Sequence, residues 1–290
     1  MIKKFSTKVV KINKSSIFVS FFSEFFMDLK VTCIQSDVIA RDPEANRRHL
    51  GDIMKSIENT DIIVLPETFT TGFPADPNLF AEELGGPTME WMQKIATEKN
   101  CAVCGTILTM AGNHKCCQNS PKEGFYNSFI WMEPDWKFYI YNKRHLFTMG
   151  GEIGLNNGEE RITIEYKGWR IRPFVCYDMR FPVWNRNSFK DGMFEYDMAI
   201  YCAEWPEKKS EVWNTLLRAR AIENQSFVVG VNRVGIDDSD IKYKGESMIL
   251  NMKGRVVAQA GEGENVFSAE LNKEDLISFR EYFRVAKDWD

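Results

Sequence analysis

Three apolar runs in this sequence stop on a residue that can do chemistry. Trp169-Arg170-Ile171-Arg172-Pro173-Phe174-Val175 ends on Cys176, Ile62-Ile63-Val64-Leu65-Pro66 ends on Glu67, and Phe138-Tyr139-Ile140-Tyr141-Asn142 ends on Lys143. A cysteine attacks as its thiolate, so a site built on Cys176 is expected to favour negative charge, with first-turn N–H groups from Tyr177 onward as one source. A carboxylate in the same mouth supplies a base for the thiol and later for water. An ammonium beside carboxylates stays charged and suits a developing oxyanion. Each residue also has a plain reading: Cys176 as a packing thiol, Glu67 and Lys143 as the first solvated residues after a strand. In open α/β sheets active groups gather beyond strand ends, and this favours reading the three together.

The order of the motifs adds to this. Leu65-Pro66-Glu67, then Tyr141-Asn142-Lys143-Arg144-His145-Leu146-Phe147, then Val175-Cys176-Tyr177-Asp178-Met179-Arg180-Phe181-Pro182 resemble the nitrilase superfamily of carbon–nitrogen hydrolases, and within it the omega-amidase branch. The resemblance covers nearly everything from Leu29 to the C-terminus. It implies a Glu67-Lys143-Cys176 triad, with Glu152 as a second glutamate that supports it. It also implies a four-layer αββα sandwich, assembly into a homodimer or larger homo-oligomer, and no metal or organic cofactor. The expected reaction is hydrolysis of a small ω-amide of a 2-oxo dicarboxylic acid, such as 2-oxoglutaramate or 2-oxosuccinamate. N-carbamoyl or other small-amide hydrolysis by the same triad is the nearest alternative, and a nitrilase-fold binding protein without turnover is the other.

In this scheme Cys176 is the nucleophile and Glu67 the shared acid and base. Lys143 and the Tyr177 backbone N–H hold the oxyanion, and Glu152 orients Lys143 or the substrate. A substrate carboxylate calls for an arginine fork, which makes Arg180 the first candidate and Arg144 the second. Trp205 and Phe147 are expected to form the apolar wall. His145 reads as a loop-packing residue, and the absence of any other histidine in these motifs argues against a Cys-His arrangement. Gly245-Glu246-Ser247 is not a serine elbow, because Ile249 stands where that motif needs glycine.

The elements that must position these groups alternate between strand and helix. Strands are expected over Leu29 to Val38, Asp61 to Pro66, Cys101 to Met110, Tyr126 to Glu133 and Trp136 to Asn142, with Pro134-Asp135 as the turn between the last two. Ile162 to Glu165 and Trp169 to Val175 form a hairpin through Lys167-Gly168. Tyr196 to Ala203, Phe227 to Val231, Ser247 to Asn251, Val256 to Ala260 and Val266 to Ala269 complete the strands. Helices are expected over Pro43 to Ile57 with Asp42 as N-cap, Pro87 to Lys99 after Gly85-Gly86, and Ser210 to Asn224 with Ser210 as N-cap. A closing amphipathic segment runs over Asp275 to Trp289. The long loop from Arg144 to Asn157 carries Glu152.

Composition bounds the rest. A chain of 290 residues, 44% hydrophobic and 13% aromatic, has enough apolar surface for a sizeable core, and no internal repeat or linker divides it. A net charge of −4 without a long basic run makes nucleic acid an unlikely partner. Seven cysteines in a chain this long fit a reducing compartment, hence a cytoplasmic location, rather than a disulfide framework. Cys101 and Cys104, with Cys116 and Cys117 behind them, raise the possibility of zinc, but a strand would point the first two to opposite faces. Residues 1–28 read as an extension, disordered or an upstream start with Met27 as the true one, ahead of the domain at 29–290. The patch Ile17-Phe18-Val19-Ser20-Phe21-Phe22 is too short to span a bilayer and lacks a cleavage site, so no membrane association is expected.

Overall fold

The structure, a computed structural model, describes residues 27–73, 75–111 and 122–289. Its frame is two six-stranded ladders packed face to face. The first runs in the order β12-β1-β2-β3-β4-β5, formed by β1 (Leu29–Gln35), β2 (Ile62–Val64), β3 (Ala102–Ala111), β4 (Gly124–Met132), β5 (Phe138–Asn142) and β12 (Asn265–Leu271). A short strand at Glu82–Glu83 adds to the far end of β3. The second runs β11-β10-β9-β8-β7-β6, from β6 (Ile164–Tyr166), β7 (Trp169–Val175), β8 (Met198–Ala203), β9 (Phe227–Asn232), β10 (Met248–Leu250) and β11 (Val256–Gln259). The central trios, β1-β2-β3 and β7-β8-β9, are parallel, and antiparallel strands flank both.

Side-chain alternation assigns the layers. Leu29, Val31 and Cys33 of β1, Ile62 and Val64 of β2, and Ala102 and Cys104 of β3 face the second ladder. Their neighbours Ile34, Ile63 and Val103 face the other way, onto α1 (Pro43–Met54) and α2 (Pro87–Lys99) through Leu50, Met54, Met89 and Met92. On the outer face of the second ladder lie α3 (Ser210–Asn224) and α4 (Lys273–Tyr282), whose Trp213, Leu217, Ala221 and Leu276 are buried. Burying one such large apolar side chain is worth roughly 1.5–3 kcal/mol. Gly230 of β9 lets α3 come close, since a Cβ there would stand 2.6 Å from Leu217 Cδ1. The resulting order, helices, ladder, ladder, helices, is the expected αββα sandwich.

Local chemistry sets most helix ends. Asp42 accepts from the Ala45 N–H at 2.9 Å with Pro43 in the first turn, and α2 begins at Pro87 and closes on Asn100 in the left-handed region. Ser210 does not cap α3: it is the first helical residue, Lys209 holds the cap position, and no side chain caps that end. The preceding turn, Glu207–Lys209, already feeds the chain into helical geometry. Expected strands come out shorter where loops take over early, as in β1, which stops at Gln35, three residues before Val38.

Residues 1–26, with most of the expected extension, lie outside the described residues, as do Cys116 and Cys117. Met27 and Asp28 are tied to the domain. The Met27 carbonyl accepts from Trp169 Nε1 at 2.7 Å, and Asp28 accepts from the Lys273 N–H at the start of α4. Cys101 and Cys104 fall on opposite faces of the first ladder, in separate cores. No described helix is long and apolar enough to cross a membrane.

Candidate active site

At one end of the sandwich both ladders open, and the residues just beyond their strands meet there. Glu67 follows β2 across Leu65-Pro66, and its loop lies flat on β3: the Thr68 N–H donates to Thr106 Oγ1 at 2.7 Å and the Phe69 N–H to the Thr106 carbonyl. Gly105 makes that possible, because a Cβ there would stand 2.7 Å from Leu65 Cβ and 2.8 Å from the Phe69 ring. Lys143 follows β5 and stays in register with β4, its N–H donating to the Asn127 carbonyl. The loop beyond returns to it at Gly158, whose N–H donates to the Lys143 carbonyl at 2.8 Å and where a Cβ would overlap the Asn142 carbonyl.

These elements deliver a buried cluster of charge. Lys143 Nζ donates to Glu67 Oε1 and to Glu152 Oε2, both at 2.8 Å, and all three side chains are no more than 2% exposed. Asn127 Nδ2 bridges the same carboxylates, at 2.8 Å to Glu67 and 2.9 Å to Glu152. Glu152 is further fixed by the Phe147 N–H at 2.6 Å, and Glu67 Oε2 accepts the Glu204 N–H at 3.0 Å. Burial by itself pushes the Lys143 ammonium down, but Glu152 and Glu67 outweigh it and hold the amine well above its usual range. It is therefore a permanent cation at neutral pH.

Cys176 ends β7 at φ 41°, in the left-handed region that a side chain rarely adopts. The tight turn Cys176–Arg180 is held by Asp178, whose Oδ2 accepts from the Val175 N–H at 3.1 Å and from the Tyr141 hydroxyl at 2.6 Å. The sulfur points to the Glu204 carbonyl at 3.8 Å and lies beside the Glu67 carboxylate. Burial, and then the negative charge of Glu67, push the thiol well above its usual value, and Lys143 only partly counters them. The resting site therefore holds a thiol. This differs from the expectation of a site that favours the thiolate, and the reason is that the thiol is buried beside the negative charge of Glu67.

Above the sulfur is a cavity of about 260 Å³ whose walls include Phe147, Tyr177, Arg180, Trp205, Lys209 and Tyr243. The structure thus brings Glu67, Lys143, Glu152 and Cys176 together and places Tyr177, Arg180, Trp205 and Phe147 around them. The Arg180 guanidinium lies over the Trp205 ring at 4.8 Å, and Asp178 is engaged by His145 and Tyr141 instead. Arg144 is not part of the mouth. Its guanidinium donates to the Gly158 carbonyl and covers Trp184.

Four residues of the site were not singled out in the sequence. Asn127 is a fully buried polar residue in a mostly apolar strand, beside buried Ser128. Glu204 directly follows β8 as Cys176 follows β7, and the strand-end rule that found one applies to the other. Its side chain is buried, with Oε1 accepting from Thr68 Oγ1 at 3.2 Å and Oε2 standing 3.7 Å from Arg233. Burial lifts its carboxyl to about 8, Arg233 working against the lift and Glu67 with it. Asp178 and Lys209 gave no such signal, since their roles depend on turns rather than on strands.

The carbon-nitrogen hydrolase family model matches residues 30–281 of this chain. Omega-amidase YafV of Yersinia enterocolitica is 41% identical over 266 residues, covering 90% of this chain and 97% of that protein. A 2-oxoglutaramate amidase of Bacillus subtilis is 31% identical, covering 90% of this chain and 98% of its own length. Among solved structures, a CN-hydrolase superfamily protein from Xanthomonas campestris with an arsenic adduct in the active site superimposes with a TM-score of 0.85 at 36% identity, over 91% of this chain and 98% of that one. Nit3 of Saccharomyces cerevisiae, a member of branch 10 of the nitrilase superfamily, gives 0.73 at 28% identity, over 88% of this chain and 94% of that one.

Proposed function

We propose, because this chain belongs to the carbon–nitrogen hydrolase family and is an amide hydrolase of its omega-amidase branch, that it hydrolyses the ω-monoamide of a 2-oxo dicarboxylic acid through a thioester on Cys176. 2-Oxoglutaramate and 2-oxosuccinamate are the substrates that fit. The observation that supports the chemistry is the Lys143 ammonium held between Glu67 and Glu152 at 2.8 Å each, with the Cys176 thiol alongside.

In the first half-reaction Glu67 takes the thiol proton as the sulfur attacks the amide carbon. Lys143 and the Tyr177 N–H stabilise the oxyanion, and the proton held on Glu67 passes to the departing nitrogen as the C–N bond breaks and ammonia leaves. In the second, Glu67 takes a proton from water, the hydroxide adds to the thioester carbon, and the C–S bond breaks as the proton returns to sulfur. Glu152 and Asn127 act as positioning residues, since Glu152 holds Lys143 and Asn127 holds both carboxylates. Burial keeps the thiol protonated at rest, which limits its loss to solvent oxidants.

Arg180 is the receptor for the substrate carboxylate. It lies in the cavity wall over Trp205, and the carbon chain runs along the apolar surface of Phe147 and Trp205. The test is ammonia release from a panel of ω-amides, N-carbamoyl amino acids and nitriles. Turnover highest on the 2-oxo acid monoamides supports the reading, and turnover confined to the N-carbamoyl compounds contradicts it.

A further inference from the structure

Two cations line the mouth above Cys176, and among the described residues neither meets a carboxylate. The Arg180 guanidinium rests over the Trp205 ring, and Lys209 Nζ stands 4.6 Å from the centre of the Phe147 ring. Both are half-buried, both line the same cavity, and among the described residues neither has an ion-pair partner. The carboxyls nearby are engaged elsewhere: Glu67 and Glu152 with Lys143, and the Glu204 side chain with Thr68 and Arg233. Trp205 Nε1 donates to the Lys209 carbonyl at 2.8 Å, so the residue that carries one cation also anchors the backbone of the other. Stacking on aromatic faces holds both charges at the wall instead of letting them swing into water.

One carboxylate on the substrate satisfies Arg180 and leaves Lys209 over. The carbon next to that carboxylate bears a carbonyl oxygen in a 2-oxo acid amide, hydrogen in a plain dicarboxylic monoamide, and an ammonium in an amino-acid amide. A carbonyl oxygen can accept from Lys209, hydrogen is indifferent to it, and an ammonium is repelled by it. We propose that Lys209 is a specificity-determining residue that excludes the α-ammonium of amino-acid amides such as glutamine and asparagine. The inference rests on the ω-amidase reading of the site, because it places the α-carbon end of the substrate at Arg180.

The test compares kcat/KM for glutamine with kcat/KM for glutaramate, the same carbon chain without the ammonium, in the wild type and in Lys209→Arg, Lys209→Gln and Lys209→Glu. 2-Oxoglutaramate is run in parallel. The expected result is a glutamine-to-glutaramate ratio that is kept in Lys209→Arg, rises about tenfold in Lys209→Gln, and rises further in Lys209→Glu, the scale of one charge at roughly 5–6 Å in a half-wet mouth. Thermal melting confirms that each variant is folded, and the Gln variant decides alone if the Glu variant is not. A ratio unchanged in both, with glutaramate and 2-oxoglutaramate still hydrolysed, overturns the inference and leaves the ω-amidase reading standing. A wild type that hydrolyses neither ω-amide overturns both together.

Discussion

Asp178 accepts two hydrogen bonds from His145, one from its backbone N–H at 2.9 Å and one from ring Nδ1 at 2.8 Å. The same carboxylate takes the Val175 N–H, so a single buried side chain ties the loop that follows Lys143 to the turn that presents Cys176. His145 is stacked on Phe181 with centroids 3.7 Å apart, which fixes the ring from its other side. The histidine thus packs its loop against the turn that carries Cys176.

Asp178→Asn is therefore expected to cost more activity than stability alone explains. An amide can accept from only one side, so either the Tyr141 and Val175 pair or the two His145 donors lose their acceptor, at a cost of about 1–3 kcal/mol for each buried donor left unpaired. Misplacing the sulfur relative to Lys143 should lower kcat by about 10²-fold or more with a smaller change in KM. His145→Gln, which can keep one bond, should fall between this variant and the wild type. Steady-state kinetics beside thermal melts check the prediction, and equal kcat in all three would remove the positioning role.

Glu204 links pH to stability. Its carboxyl titrates near 8 in the folded chain, against an ordinary 4.5. Between those values the folded state holds a proton that the unfolded state has released, so stability falls as pH rises through that window and levels off above about 8. Glu204→Gln removes the dependence while keeping an acceptor for Thr68. The variant should gain on the wild type steadily from the lower end of the window to the upper, which melting curves at several pH values would show. A constant offset at every pH would mean that the group does not titrate there.

At the opposite end of the sandwich Asp197 joins α4 to the start of β8. It accepts from Lys273 Nζ at 2.5 Å and Arg280 Nη1 at 2.7 Å, and Arg170 approaches at 3.4 Å. Burial alone would raise this carboxyl, but Lys273, Arg280 and Arg170 hold it down at about 2. Its contribution is present above the ordinary aspartate value and is lost as pH falls toward 2. Asp197→Asn leaves buried cations without their counter-charge and should destabilise the fold by about 3–5 kcal/mol, measured by denaturant unfolding at neutral pH. The deficit should shrink in acid.

Replacing Arg180 and Arg144 in turn separates recognition from packing. Arg180→Met is expected to raise KM for 2-oxoglutaramate by about 10²-fold, the loss of a charge-assisted pair of hydrogen bonds, with a much smaller rise for a neutral short-chain amide. Arg144→Met should leave both KM values near the wild type, because its guanidinium serves Gly158 and Trp184. If Arg180→Met raises both substrates equally, the carboxylate is bound elsewhere.

Much of this site was legible before any coordinates, and the reason is the strand end. Glu67, Lys143 and Cys176 each close an apolar run, and a run of alternating or continuous apolar residues fixes both the strand and the point where it leaves the core. The αββα order came with the family resemblance, whereas composition alone allowed any α/β arrangement. Lys209 and Asp178 stayed hidden because their positions are set by a tight turn and by contacts from distant segments, and no periodicity encodes those. The Arg144 candidate failed for the same reason: adjacency to Lys143 in sequence says nothing about which way a reversing loop turns its side chain. Residue type alone does not give the state of the thiol, since burial and the neighbouring Glu67 raise it.

The central claim is that the Cys176 sulfur, deprotonated by Glu67, attacks the amide. The measurement that tests it most directly is ammonia release from 2-oxoglutaramate by Cys176→Ala beside the wild type, with matched melting curves to show that the fold is intact. Removing a nucleophile from a group of residues that act as a unit predicts a loss of about 10⁴-fold or more in kcat, with little change in melting temperature. A folded Cys176→Ala enzyme that releases ammonia within about tenfold of the wild-type rate, well short of the loss expected for a missing nucleophile, would contradict the account.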